Sequence, residues 1–235
     1  MNRLWRLPFL ILLLFAAVFL THCNRVKDVI PPYTLTIFPM EEGDSRVTYV
    51  EDTTFDTRGP VPDVYFKRER IANAEEDLLG RSIRRVEVFR SDSILNTDFI
   101  WKIDRVYAHY FEPQENGDFF AERIEENQRI LILKFPVFEG VKWNGNLFNN
   151  LGVQEFKYQV TDTTVNIRGQ TYENCVMVVQ KADTSGFIND KFAYEIYAPE
   201  IGLIKKFDRT LVFDGPQGQF NPDKSRIYVE ERLAQ

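Results

Sequence analysis

Cysteine and histidine are almost missing from this 235-residue chain, which has two of each. The scarcity excludes a good deal. His109 would have to serve as the base of any serine or cysteine hydrolase triad, and no nucleophile-elbow glycine pattern accompanies it. Nothing has zinc-ligand spacing, and no Asp-x-Asp-x-Asp-Gly loop is present for calcium, so neither a metal nor any other cofactor is expected. Long apolar runs are missing too. The longest, Leu7 to Leu20, covers 14 residues, whereas a membrane-spanning helix needs about 20. Basic clusters are absent, and 29 Lys and Arg face 35 Asp and Glu for a net charge of −6. Nucleic acid is therefore a poor partner.

What is present begins with an export leader. Arg3 and Arg6 precede the apolar run, whose length suits a signal-peptide core of about 7–15 residues. The run closes on Leu20-Thr21-His22-Cys23, which resembles the lipobox of bacterial lipoproteins, although that motif has a small residue where His22 stands. The resemblance implies removal of residues 1–22 and lipidation of Cys23. Residues 23–32 would then be a lipidated tether ending in Pro31-Pro32, and residues 33–235 one folded domain. One acyl chain binds membranes only marginally, whereas the two or three of a processed lipoprotein hold firmly. Asn24 and the residues after it carry no acidic sorting signal, which points to the outer membrane with the domain facing the periplasm. An acylated Cys23 leaves Cys175 without a partner, so packing has to hold the fold. Cys175, inside an apolar stretch, reads as a small buried hydrophobe.

Period-two alternation, rich in aromatic and β-branched residues, dominates from Arg46 onward. It predicts strands over 46–51, 64–68, 84–90, 99–109, 119–125, 129–135, 156–162, 164–168, 172–181, 191–197, 203–208, 210–213 and 226–231. Residues 115–118, 183–186, 214–218 and 221–223 carry turn chemistry between them. The spacing predicts a mainly β fold, a single curved antiparallel sheet (half-barrel or open barrel) with one or two short helices. Arg129–Phe135, the most apolar strand, is expected at the sheet centre with both faces covered. The helix is expected over Arg70–Leu79, which is rich in Ala, Glu and Leu and is followed by Gly80.

Carboxylate pairs are frequent, but in a strand neighbours point to opposite faces, so Glu125-Glu126 and Glu230-Glu231 do not build shared sites. Glycosidase acids brought together from distant strands would leave no local signal. No enzymatic activity is expected. The most distinctive stretch is Phe135–Gly152, where Phe138, Trp143 and Phe148 lie among glycines and asparagines. These three are the candidate contacts to a ligand or partner. The ordinary alternative is a loop folded across the end of the sheet, its aromatics plugging the core.

The second half, through Gly169-Gln-Thr-Tyr-Glu-Asn-Cys-Val176 and Tyr194-Glu-Ile-Tyr-Ala-Pro-Glu-Ile-Gly-Leu-Ile-Lys205, resembles uncharacterised bacterial outer-membrane lipoproteins of unknown function. It is also similar to the half-barrels of lipoprotein carriers and chaperones. The resemblance covers about 40 residues and implies a curved antiparallel sheet without catalytic residues. Two functions follow as expectations. One is a lipid-anchored, non-enzymatic binding or scaffold module for an envelope protein. The other, suggested by 20 Phe and 10 Tyr, is a carrier holding an acyl chain or other hydrophobic ligand on a concave sheet.

Overall fold

Residues 36–92, 100–113, 118–183, 189–214 and 218–234 are described in a computed structural model. All belong to one compact unit, Pro32–Gln235. The leader, Cys23 and the Pro31-Pro32 spacer lie outside the described residues.

Twelve strands follow one another: β1 (Ser45–Asp56), β2 (Gly59–Glu76), β3 (Ser82–Ser91), β4 (Lys102–Phe111), β5 (Phe119–Glu125), β6 (Gln128–Phe135), β7 (Lys142–Asn144), β8 (Glu155–Ile167), β9 (Gln170–Asp183), β10 (Asn189–Ala198), β11 (Gly202–Asp214) and β12 (Gln219–Arg232). They form one antiparallel sheet in the order β6-β5-β4-β3-β2-β1-β12-β11-β10-β9-β8-β7. Two meanders, β1–β6 and β7–β12, are thus joined through β1 and β12, where Val50 faces Glu230. The sheet is barrel-like and nearly closed, and no helix occurs among the described residues.

The helix expected over Arg70–Leu79 is strand and turn instead. Its first seven residues finish β2, with Arg70 opposite Ser45 and Ile71 opposite Val86. The Asp77 carboxylate then accepts hydrogen bonds from the backbone N–H groups of Leu79 and Arg81 and turns the chain. Partners on both sides outweigh a helix propensity worth only tenths of a kcal/mol per residue. Leu78 and Leu79 sit exposed at the hairpin tip. The predicted pairs 156–162 with 164–168, and 203–208 with 210–213, each merge into one long strand. Residues 221–223, expected as a turn, lie inside β12 at a shift in its pairing with β11.

Arg129–Phe135 is covered as expected, but as β6 it ends the pairing order and is not central. Its free edge is closed by the segment that follows. The Leu131 N–H donates to the Gly145 carbonyl at 2.9 Å, and the Trp143 indole N–H donates to the Leu131 carbonyl at 2.7 Å. Tyr158 Oη accepts from the Lys134 N–H at 3.0 Å and donates to the Lys134 carbonyl at 2.7 Å. The Asn149 side-chain amide donates to the Arg129 carbonyl at 2.8 Å. A strand edge presents donors and acceptors that must be met when buried. Here four residues from β7, β8 and their connecting loop meet them where a thirteenth strand would.

Behind this seam lies the main apolar cluster, in which Ile37 and Phe38, ahead of β1, join Leu131, Leu133, Phe135, Trp143, Phe156 and Tyr158. Gly145 is fitted to it. A Cβ there would stand 2.6–2.8 Å from the Phe156 ring, and its φ is not positive, so close approach is what demands the glycine. At the β10–β11 hairpin the reason differs: Gly202 has φ +79°, a left-handed conformation that L side chains rarely adopt.

Candidate functional site

The inside of the barrel is not apolar throughout. Period two puts Arg46, Thr48 and Val50 of β1 on one face. Register sets Glu69, Lys67 and Tyr65 of β2 beside them on one flank and Arg232 and Glu230 of β12 on the other. Glu230 is almost fully buried. It accepts hydrogen bonds from Lys67 Nζ at 2.5 Å, Thr48 Oγ1 at 3.1 Å and Tyr228 Oη at 2.9 Å. Lys67 also lies 3.0 Å from Glu69, which pairs in turn with Arg46. Across the barrel, Glu195 of β10 accepts from Lys206 Nζ at 2.8 Å and Tyr197 Oη at 2.6 Å.

Burial raises the pKa of each of these carboxyls, but their cationic partners outweigh it. Lys206 and Arg123 hold Glu195 down to about 2, and Arg46 and Lys67 hold Glu69 well below the usual carboxylate range. His109 behaves oppositely. Packed against the Phe38 and Tyr107 rings at 4.7 and 5.0 Å, it is pulled by burial to about 3, with Glu69 opposing, and stays neutral.

Two cavities flank the Arg46–Glu69 pair. One, about 230 Å³, lies toward Phe38, Ile71, Val86 and His109. The other is about 450 Å³ and strongly polar. Basic groups from seven strands, Arg105, Arg123, Lys181, Lys206 and Arg226 among them, meet Glu125, Asp208, Glu230 and three tyrosines. Side-chain exposure climbs from 2 % at Glu230 to 49 % at Arg105 and 56 % at Arg226, so the cavity opens at that end. Its volume falls within the roughly 300–1,000 Å³ of small-molecule sites. Salt bridges and tyrosine hydroxyls suit a polar, charged ligand. An acyl chain would have to strip water from these charges and return no contacts to them.

The residues singled out from sequence fall elsewhere. Trp143 is buried in the seam and packs on Tyr158 with ring centroids 4.8 Å apart. Phe138 is half-buried beside it in chain order, and Phe148 is exposed beneath the Arg129 guanidinium at 4.4 Å. None of the three lines either cavity. Leu147, Leu151 and Val153 are exposed on the same loop as Phe148. Cys175 is fully buried, which pushes its thiol up to about 11. Glu230 and Glu231 do face apart, inward to Lys67 and outward to Lys205 at 2.7 Å. Among the described residues no three His, Cys, Asp or Glu side chains gather as metal ligands.

No protein-family model matches the chain, and no curated protein matches it. Among solved structures it is similar to a candidate lipoprotein from Parabacteroides distasonis, at 13% identity over 85% of this chain and 98% of that one, with a TM-score of 0.36. It is likewise similar to a candidate exported protein with a YmcC-like fold from Bacteroides fragilis, at 13% identity over 84% and 98%, TM-score 0.36. Likeness at that score leaves the cavity to be read from its own residues.

The sequence pattern hid the cavity because its polarity is inverted locally. On β12, Arg226, Tyr228 and Glu230 share one face while Ile227 and Val229 take the other. On β11, Lys206 and Asp208 face inward while Phe207 stacks outside on Tyr194, at 5.4 Å. A reader expecting apolar side chains inside would choose the wrong face.

Proposed function

We propose that this chain is a lipid-anchored envelope protein acting as a non-enzymatic binding module, with its ligand seated in the 450 Å³ cavity. The polar cavity carries this reading, because a barrel built only as a scaffold has no need of a solvent-reaching chamber ringed by ion pairs. Cys23 supplies the anchor, with the outer membrane as its site and the domain facing the periplasm. His109, the histidine closest to the charged layer, is buried and neutral, which favours binding over proton-transfer chemistry.

A second reading has its own observation. Leu147, Phe148, Leu151 and Val153, the last 86 % exposed, form an apolar patch on a loop anchored to β6 by Asn149. Such a patch suits docking of an envelope protein.

Membrane fractionation combined with native mass spectrometry tests the first reading. The wild-type chain should remain with membranes until detergent is added, and Cys23→Ser should be released or fail to mature. The detergent-extracted chain should carry, or take up, a small polar molecule. Membrane retention of Cys23→Ser removes the anchor, and an extracted chain that binds no small molecule removes the module.

A further inference from the structure

Arg123 is distinctive among the cations of the large cavity. Lys67 has Glu230, Arg46 has Glu69, and Arg105 has Glu125 at 3.1 Å. Lys181 has Asp208 at 2.7 Å, Lys206 has Glu195 at 2.8 Å, and Arg226 has Asp52 at 2.5 Å. Arg123 reaches only Glu125, at 3.6 Å, and Arg105 is closer to that carboxylate. Its other acidic neighbour, Glu195, is engaged by Lys206 and Tyr197. Arg123 Nε is buried without a hydrogen-bond partner, yet the side chain keeps 27 % exposure and lines the cavity. The open part of the guanidinium therefore faces the chamber.

Both carboxylates near Arg123 are thus held more closely by another cation, Glu125 by Arg105 and Glu195 by Lys206, and the guanidinium N–H groups keep hydrogen-bonding capacity toward the chamber. A bound oxyanion would use that capacity, since the guanidinium fork matches the paired oxygens of a carboxylate or phosphate. The surrounding wall suits a hydroxylated body. Tyr65, Tyr107 and Tyr228 contribute rings and phenols, and Leu203 is the one aliphatic side chain in the lining. We propose that Arg123 anchors the acidic group of a small hydroxylated ligand, a sugar acid or sugar phosphate, inside the barrel. The assignment rests on the binding-module reading and adds the ligand's chemical class.

Isothermal titration calorimetry on the detergent-extracted full chain tests it, with glucuronate, glucose 6-phosphate, inorganic phosphate and glucose as probes. One of the two sugar acids should bind at least tenfold more tightly than glucose, and which one wins separates carboxylate from phosphate. Arg123→Gln should weaken that binding tenfold or more, and Arg123→Lys should restore part of it. Urea unfolding keeps the variant interpretable. Arg123→Gln should shift the urea midpoint only slightly, because Arg105 and Lys206 still hold Glu125 and Glu195; a marked loss of stability would make Arg123 structural and overturn the proposal. Glucose binding as tightly as the acids, no binding of either acid, or unchanged affinity in Arg123→Gln also overturns it. Inorganic phosphate matching the sugar phosphate overturns the saccharide part. If native mass spectra of the extracted chain show a bound neutral or apolar molecule, the anion assignment falls while the binding module stands. An extracted chain that binds nothing removes both.

Discussion

Tyr158→Phe removes one oxygen atom from the seam and tests whether side chains truly close this sheet. The Tyr158 ring is fully buried, and its hydroxyl serves both the N–H and the C=O of Lys134, at 3.0 and 2.7 Å. Without it, two backbone groups on the edge of β6 lose their partners. An unsatisfied buried donor or acceptor costs about 1–3 kcal/mol, so the pair should cost roughly 2–5 kcal/mol. For a domain of this size that corresponds to a fall in Tm of roughly 5–15 °C. Thermal and urea unfolding followed by circular dichroism would measure it, with amide exchange at Lys134 reporting the local opening. Tyr110→Phe is the control. Its hydroxyl donates to Glu112 at 2.6 Å on the exposed side, and its loss should stay within about 0.5 kcal/mol. A Tyr158→Phe variant as stable as Tyr110→Phe, with Lys134 still protected, would refute the claim that the hydroxyl replaces a strand.

Three further outcomes are expected. Gly145→Ala should destabilise by about 1–3 kcal/mol through overpacking against the buried Phe156 ring, measured as a shift of the urea midpoint; an unchanged midpoint would show that the ring moves freely. Lys67→Met leaves Glu230 and Glu69 short of a cation and should cost about 3–5 kcal/mol at neutral pH, with the deficit shrinking in acid as those carboxyls take up protons. His109 is neutral in the folded chain down to about pH 3 but protonates near 6.5 when unfolded. Its contribution is therefore complete above pH 6.5 and is lost as pH falls toward 3, at up to about 1.4 kcal/mol per pH unit. Glu195 adds a later loss, from about 4.5 down through 2. Urea midpoints between pH 7.5 and 5 should slope accordingly and flatten in His109→Phe, whose ring preserves the contacts to Phe38 and Tyr107; an equal slope in the variant would assign the effect elsewhere.

Much of the strand pattern was legible because it is a property of short stretches. Phe119–Glu125 appears at the bounds its alternation predicts, and the Tyr194–Lys205 hairpin turns at Pro199–Ile201 before Leu203 and Ile204 return to the core. Helix propensity over Arg70–Leu79 misled because it ignores the partners that β1 and β3 supply. The three-residue β7 was missed since Trp143 and Asn144 carry no alternation to detect, and their role is set by the edge of β6. Among the aromatics, Trp143 belongs to closure and Phe148 to the exposed loop, a division that the cluster of types in sequence does not contain.

The sequence by itself determined the period of the strands and the lone Cys175 in the folded unit, each encoded within a few neighbouring residues. Only the tertiary structure decided which face of each strand looks inward. Lys67, Glu69, Glu195 and Glu230 are charged residues at alternating positions like any solvated set, and their burial is possible because strands far apart in sequence bring them opposite one another. The cavity exists only once the sheet has curled and β6 has met Trp143 and Tyr158.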